Sequence, residues 1–436
     1  MESLAQYIQT LAPQLSAWRR DFHHFAESGW LEFRTAAKVA EILDQLGYSL
    51  AMGRDVVDAE SRMGLPDDAT LAREFARARA QGAPEKWLAP FEGGFTGIVA
   101  TLNTGRPGPT LAFRVDMDAL DLSEALNDSH RPFRDGFASC NPGMMHACGH
   151  DGHTTIGLGL AHVLKQNESQ LNGTIKLIFQ PAEEGTRGAR AMVAAGALDD
   201  VDYFTAIHIG TGVPAGVVIC GSDNFMATTK FDVHFTGVAA HAGGKPEDGR
   251  NALLAAAQAA IALHSIAPHS EGASRVNVGV MQAGSGRNVV PANALLKVET
   301  RGVSEAINQY VFERAQAVIT GAAALYGVSV EMRLMGAATA SAPTPAWVDY
   351  LRQQASQVTG VVQAIDRVNA PAGSEDATLM MARVQQNGGM ASYMVFGTEL
   401  SAGHHNEKFD FDEQVMNLAI ETLARTALNF PWTRGV

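Results

Sequence analysis

Three histidines, a cysteine and an aspartate fall within nine residues, "MHACGHDGH" from Met145 to His153, in a chain with three cysteines in all. In an extended backbone, side chains two apart share a face, which puts His146, Cys148 and His150 on one side, able to grip one ion. A thiolate, imidazoles and carboxylates together suit a borderline transition ion such as zinc, manganese, cobalt or nickel better than calcium or magnesium. Further on, "FQPAEEG" delivers Glu183 and Glu184 from the end of the apolar run "TIKLIF". Adjacent side chains diverge, so one carboxylate can bind metal while its neighbour faces water. Hydrolysis needs that division: a Lewis-acidic ion lowers the pKa of water, and a carboxylate takes its proton and hands it to the leaving nitrogen. His208 closes another apolar run in "AIHIG", and His404 and His405 stand in "GHHNEKFDFDE" ahead of a terminal helix. Singly, each has a plainer reading: a surface glutamate pair, a core histidine, a turn. Four separate elements that all end in ligand-type residues point to a metal-dependent hydrolase.

No rival signature competes, because the chain has no His-Glu-x-x-His, no Gly-x-Ser-x-Gly and no P-loop. "GLGLAH" from Gly157 begins like a dinucleotide fingerprint but lacks the last glycine and falls in a helical stretch.

The elements that must position these residues alternate from Thr96 onward: "TGIVATLNTG", "PTLAFRVDMDAL", a helix after His153, "GTIKLIFQ", a helix near Arg187–Ala195, and "DYFTAIHIG". That rhythm is an α/β sheet flanked by helices, whose ligand sites gather at strand ends. After Gly221 it changes to strand "ATTKFDVHFTG", helix "NALLAAAQAAIALHSIA", strands "SRVNVGVMQAG" and "ALLKVETRG", helix "SEAINQYVFERAQAVITGAAALYG" and strand "VSVEMRLMG". This is βαββαβ, the split pattern of a ferredoxin-like domain. The expected layout is an α/β domain over residues 1–222 and 339–436, interrupted by an inserted domain at 223–338. Residues 53–94 read as a polar helical insertion.

A chain of 436 residues exceeds the usual size of one core, in keeping with two domains. The formal net charge of −13, with no Lys/Arg run, argues against nucleic acid or an anionic membrane as partner. Cys140, Cys148 and Cys220 make no disulfide framework, which fits a reducing, cytoplasmic compartment. The N-terminal stretch places its charges after an amphipathic segment and does not read as a signal peptide. The most apolar run, Ala252 to Ala267, is interrupted by Gln258 and His264 and reads as a packed helix, not a membrane span.

The order "RVDMDAL", "MHACGHDGH", "PAEEG", "HIG", "AAHAG", "NVVP", "GSEDA" and "HHNEKFDFDE" resembles the M20 metallopeptidase family, in its amidohydrolase branch, over nearly the whole chain. The resemblance implies an M20-type catalytic α/β domain with an inserted ferredoxin-like (βαββαβ) lid and dimerisation domain. It implies that Cys148, His150, Glu184, His208 and His405 bind metal and that Glu183 is the general base. His405 is preferred to His404 because the family's terminal ligand precedes an aromatic by four positions, here Phe409. Where the dizinc branch carries His-x-Asp on the strand, this chain reads Arg114-Val115-Asp116, and Cys148 stands where an aspartate would bridge. One or two ions are therefore open, manganese being favoured by the resemblance and zinc by the thiolate. Asp116 is expected to orient a ligand. His241 in the inserted domain is expected to reach a partner protomer's site and stabilise the oxyanion, while Asn288 and Arg301 are candidates for gripping a substrate carboxylate. The implied reaction is cleavage of an N-acyl amino acid amide, most narrowly p-aminobenzoyl-glutamate, a folate breakdown product. Hippurate-like, acetylated or auxin-conjugate substrates and a non-catalytic, partner-recruiting paralogue are the alternatives. The resemblance also implies a dimer and a homologous second subunit.

Overall fold

Helix α1 (Leu4–His24) opens on Ser3, whose hydroxyl accepts from Gln6 N while the Gln6 side chain accepts from Ser3 N, a reciprocal cap that satisfies two end amides. This computed structural model describes residues 3–223, 225–340, 342–368 and 373–432. In chain order follow α2 (Phe33–Gln45), strand β1 (Ser49–Met52), α3 (Asp68–Ala80), α4 (Glu85–Leu88), β2 (Ile98–Asn103), β3 (Thr110–Asp116), α5 (Arg131–Arg134), α6 (His150–Gln166), β4 (Thr174–Gln180), α7 (Ala189–Ala194), β5 (Tyr203–Ile209) and β6 (Val217–Ser222). Then come β7 (Ala227–Thr236), α8 (Ala252–Leu263), β8 (Ser274–Ala283), β9 (Asn293–Gly302), α9 (Glu305–Tyr326) and β10 (Ser329–Ala338). The chain ends with α10 (Pro345–Ala355), β11 (Gln363–Val368), α11 (Ala377–Gln386), β12 (Met390–Phe396) and α12 (Gln414–Leu428).

Two compact units result. Among the described residues, the larger holds 3–223, 342–368 and 376–432, and the smaller 225–340 with 373–375. The larger unit is built on an eight-stranded mixed sheet, β1-β2-β4-β3-β5-β12-β6-β11. Its centre is parallel: β3 lies between β4 and β5, with Asp116 level with Gln180. These strands are nearly continuous runs of buried residues, as a sheet covered on both faces requires. Three strands escape the sequence pattern. β1 has four residues, β6 is short, and β11 mixes charges into an edge, so none shows a clean period of two.

Helix α6 is buried on every side apart from a few residues near its C-terminal end. Its glycines serve close packing: a Cβ on Gly157 would lie 2.8 Å from Phe179 Cε1, and one on Gly159 would run into Ile420 Cδ1. That packing accounts for the glycines of "GLGLAH" without a nucleotide.

The smaller unit is an antiparallel sheet, β10-β7-β9-β8, with α8 and α9 in its βαββαβ order. Phe231, Val233 and Phe235 of β7 meet Ala252, Ala255, Ala256 and Ala259, whose spacing of three and four marks the buried face of α8. Among the described residues, no helix is long and apolar enough to cross a membrane.

Candidate metal centre

Four segments of the larger unit bring their polar ends together at the carboxyl edge of β3, β4 and β5. They are the turn into α6, the loop after β4, the end of β5 and the turn before α12. Cys148 Sγ lies 3.4 Å from His208 Nε2. The donor atoms of Cys148, His208 and His404 all lie within 4.8 Å of one another, and so do those of Cys148, Glu184 and His405, and those of His150, Glu183 and Glu184. Cys148 is thus common to two donor groups.

Backbone geometry separates residues that an extended chain would align. Gly149 takes φ 99°, a left-handed turn that suits glycine, and α6 starts at once with His150. Cys148 and His150 reach the cluster. His146 does not: it is buried, belongs to no donor group, and its ring lies 6.2 Å from that of His23. Burial pushes the His146 imidazole down to about 3. The expectation that His146 shares a face with the other two is corrected: the stretch is not an extended strand but bends at Cys148 and Gly149 into α6, and His146 packs toward His23.

Hydrogen bonds then decide which imidazole nitrogens can coordinate. His150 Nδ1 donates to the Asp118 carbonyl at 2.8 Å, and His208 Nδ1 to the Ile209 carbonyl at 2.7 Å, so in each the lone pair is on Nε2. His153, by contrast, donates from Nδ1 to Asp116 at 2.6 Å and accepts from Ile209 N at 3.0 Å, which commits both nitrogens. His404 Nε2 accepts from Thr211 N at 2.8 Å, placing its proton on Nδ1. His405, at φ 62°, has Nε2 3.4 Å from Glu184 Oε1. Asp116 accepts from His153 on Oδ1 and from Arg114 on Oδ2, and the latter oxygen also stands 3.8 Å from His150 Nε2.

The cluster holds its own protons: burial opposes the charge on His150, yet Asp116 and Cys148 outweigh it and raise its imidazole well above the usual range. Burial, then the Glu184 charge, pushes the Cys148 thiol up. Burial, then neighbouring imidazoles, holds His208 well below the usual histidine range and His404 near 4. Cys148, then Glu184, raise His405 to about 10. Buried His150 Nε2 and Glu184 Oε1 make no well-directed hydrogen bond and have only looser ion-pair neighbours, Asp116 at 3.8 Å and His405 at 3.4 Å. Buried polar atoms seldom go unpaired, and neutral imidazoles with a thiolate and a carboxylate are what a transition ion takes up. The residues fit a divalent metal.

Sequence reasoning passed over Asp118, although "RVDMDAL" places it two residues beyond Asp116, just past the carboxyl end of β3, where ligand sites gather. Its carboxylate accepts from Glu183 N and Glu184 N.

Within the smaller unit, His241 is exposed and its Nδ1 accepts from Gly243 N and Gly244 N at 3.1 and 2.9 Å. Asn288 is exposed beside it, with Ala242 N donating to the Asn288 carbonyl at 3.1 Å. Arg301 is engaged by both oxygens of Glu299 at 3.1 Å, so the ion pair weighed for this residue is present.

The chain is 80% identical over its full length, and that of the relative, to an indole-3-acetyl-aspartic acid hydrolase of Enterobacter agglomerans. It is 79% identical, again with both chains wholly covered, to one of the subunits of p-aminobenzoyl-glutamate hydrolase from Escherichia coli strain K12. A crystal structure of an aminobenzoyl-glutamate utilization protein from Klebsiella pneumoniae is 71% identical and superposes with a TM-score of 0.87, all of both chains being covered. The model of peptidase family M20/M25/M40 matches residues 112–429, which span the strand of Asp116, the Cys148 turn, the glutamate pair and both terminal histidines, and the chain belongs to that family.

Proposed function

We propose that this chain hydrolyses the amide bond of an aromatic acyl group joined to an acidic amino acid, p-aminobenzoyl-glutamate in particular. Cys148, His150, Glu184, His208 and His405 would hold the metal, and Glu183 would be the acid–base residue. The observation that carries this reading is Cys148 standing in two donor groups, with Glu183 beside Glu184 in a third. Cys148, with His208 on one side and Glu184 and His405 on the other, leaves room for two ions. When bound, the metal supplies Lewis acidity for the carbonyl and for water. Glu183 takes the proton from water and returns it to the leaving nitrogen, a transfer usually worth 10²- to 10⁴-fold. His405 is assigned over His404 because Thr211 N already occupies the His404 lone pair. Asp116 holds His153 in place beneath the cluster.

His241 as an oxyanion donor, and Asn288 and Arg301 as carboxylate contacts, belong to the same proposal. So do a dimer through the inserted unit, a homologous second subunit, and a reducing, cytoplasmic location, which three free cysteines support. Manganese is the favoured ion and zinc the second, since mixed N, O and S donors accept both.

A second reading, indole-3-acetyl-aspartate as substrate, is favoured by the 80% identical relative. The deciding experiment is turnover of both conjugates, with hippurate and acetyl-glutamate alongside, by chain stripped with chelator and resupplied with manganese or zinc. Metal-restored cleavage of the aminobenzoyl substrate above the others supports the first reading, and preference for the indole conjugate replaces it. Metal binding without any cleavage would shift weight to a required second subunit or to the non-catalytic alternative, and the chain would be tested again with its homologous partner.

A further inference from the structure

The loop carrying Glu183 and Glu184 donates its backbone amides to carboxylates from three distant segments. Ala182 N donates to Glu32 Oε1 at 2.8 Å, Glu183 N to Asp118 Oδ1 at 3.0 Å, and Glu184 N to Asp118 Oδ2 at 2.9 Å. At the far end, Gly188 N and Ala189 N both donate to Asp376 Oδ2, at 3.0 and 2.9 Å. Glu32 and Asp376 are fully buried and Asp118 is 1% exposed. The loop needs holding, because Ala182 and Thr186 sit at φ 51° and 62°, where residues with a Cβ rarely stay. Asp118 does a second thing: its own carbonyl receives His150 Nδ1. One residue therefore links the segment of His150 to that of the glutamate pair.

We propose that Asp118 and Glu32 are positioning residues that hold Glu183 and Glu184 in register with His150 through the amides of residues 182–184. The inference rests on the roles given above to Glu183 and Glu184. The two carboxylates differ in what they must be. Both oxygens of Asp118 face N–H donors, so an amide at this position turns one NH₂ against a backbone N–H. Glu32 uses one oxygen for Ala182 N and accepts the Thr96 hydroxyl on the other at 2.6 Å. A hydroxyl donates or accepts, so a glutamine can satisfy both contacts.

The test combines hydrogen exchange of the peptide spanning residues 181–189, in the metal-stripped full-length protein, with kcat, KM and chelator competition for manganese in the loaded one. Asp118→Asn is expected to speed exchange of that peptide and to lose roughly 10- to 100-fold in kcat or manganese affinity, the usual cost of an outer contact to a ligand. Glu32→Ala should speed exchange and slow turnover, and Glu32→Gln should rescue both. Wild-type protection and turnover in Asp118→Asn, or a Glu32→Gln protein as impaired as Glu32→Ala, overturns the proposal. If Asp118→Asn does not fold, the Glu32 pair decides alone. Glu183→Gln is the control: should it keep its turnover, the acid–base reading falls, while the exchange data still decide whether the carboxylates hold the loop.

Discussion

Cys148 Sγ and His208 Nε2 stand 3.4 Å apart although 60 residues separate them, and the same sulfur lies within reach of Glu184 and His405. Removing that sulfur should affect both donor groups at once. Cys148→Ala is expected to lose bound metal and to weaken manganese binding by at least about tenfold, since outer contacts alone are worth that much. Metal analysis after desalting, with chelator competition, checks it. Unchanged stoichiometry would remove Cys148 from the ligand set.

Glu183→Gln keeps the shape of the side chain and deletes its basicity. Turnover of p-aminobenzoyl-glutamate should fall by roughly 10²- to 10⁴-fold, with metal content held. A variant that loses metal in proportion to activity would instead make Glu183 a ligand.

Arg19 anchors α1 to the segments that carry the centre. It is fully buried, with Nε 2.9 Å from Asp151 and Nη2 2.8 Å from Asp410. Burial opposes the charge on Asp151, yet Arg19 and His23 outweigh it and hold that carboxyl well below the usual range. Arg19→Met should therefore destabilise the fold by about 3–5 kcal/mol, because it strands buried carboxylates. Denaturant melts at neutral pH read this directly, and a loss under about 1 kcal/mol would show that His23 and Arg131 suffice as partners.

Stability should carry a signature of Glu32. Burial, then the Asp118 charge, pushes its carboxyl up to about 8. Between the ordinary value near 4.5 and about 8, the folded protein keeps a proton that the unfolded chain has released, so stability falls as pH rises through that window. Glu32→Gln cannot titrate. Its stability relative to the parent should therefore grow from about pH 5 to about pH 8 and then level off. Melts of both proteins across that range test the sign, and parallel curves would refute it.

Much of the centre is legible in order along the chain. An apolar run ending in "PAEEG", another ending in His208, and a glycine between Cys148 and His150 each mark where a strand or turn stops, because local periodicity and turn chemistry are short-range properties. The same patterns fix the βαββαβ unit. They cannot tell which nitrogen keeps its lone pair. His146, His153 and His404 look as able to bind metal as His150 and His208 until His146 packs toward His23, Asp116 and Ile209 take both nitrogens of His153, and Thr211 N takes His404. The insertion at residues 53–94 shows the same limit. It reads as polar helix, yet Trp30 Nε1 donates to Met63 O, Asp58 N to Ala191 O and Arg187 Nη1 to Gly64 O, fastening it beside the glutamate loop. The sequence alone determined which residue types end which elements. Only the tertiary structure decided which of them coordinate and which merely hold others in place, because partners from other segments, 32 residues off for His150, 37 and 56 for His153 and 193 for His404, settle where their protons sit.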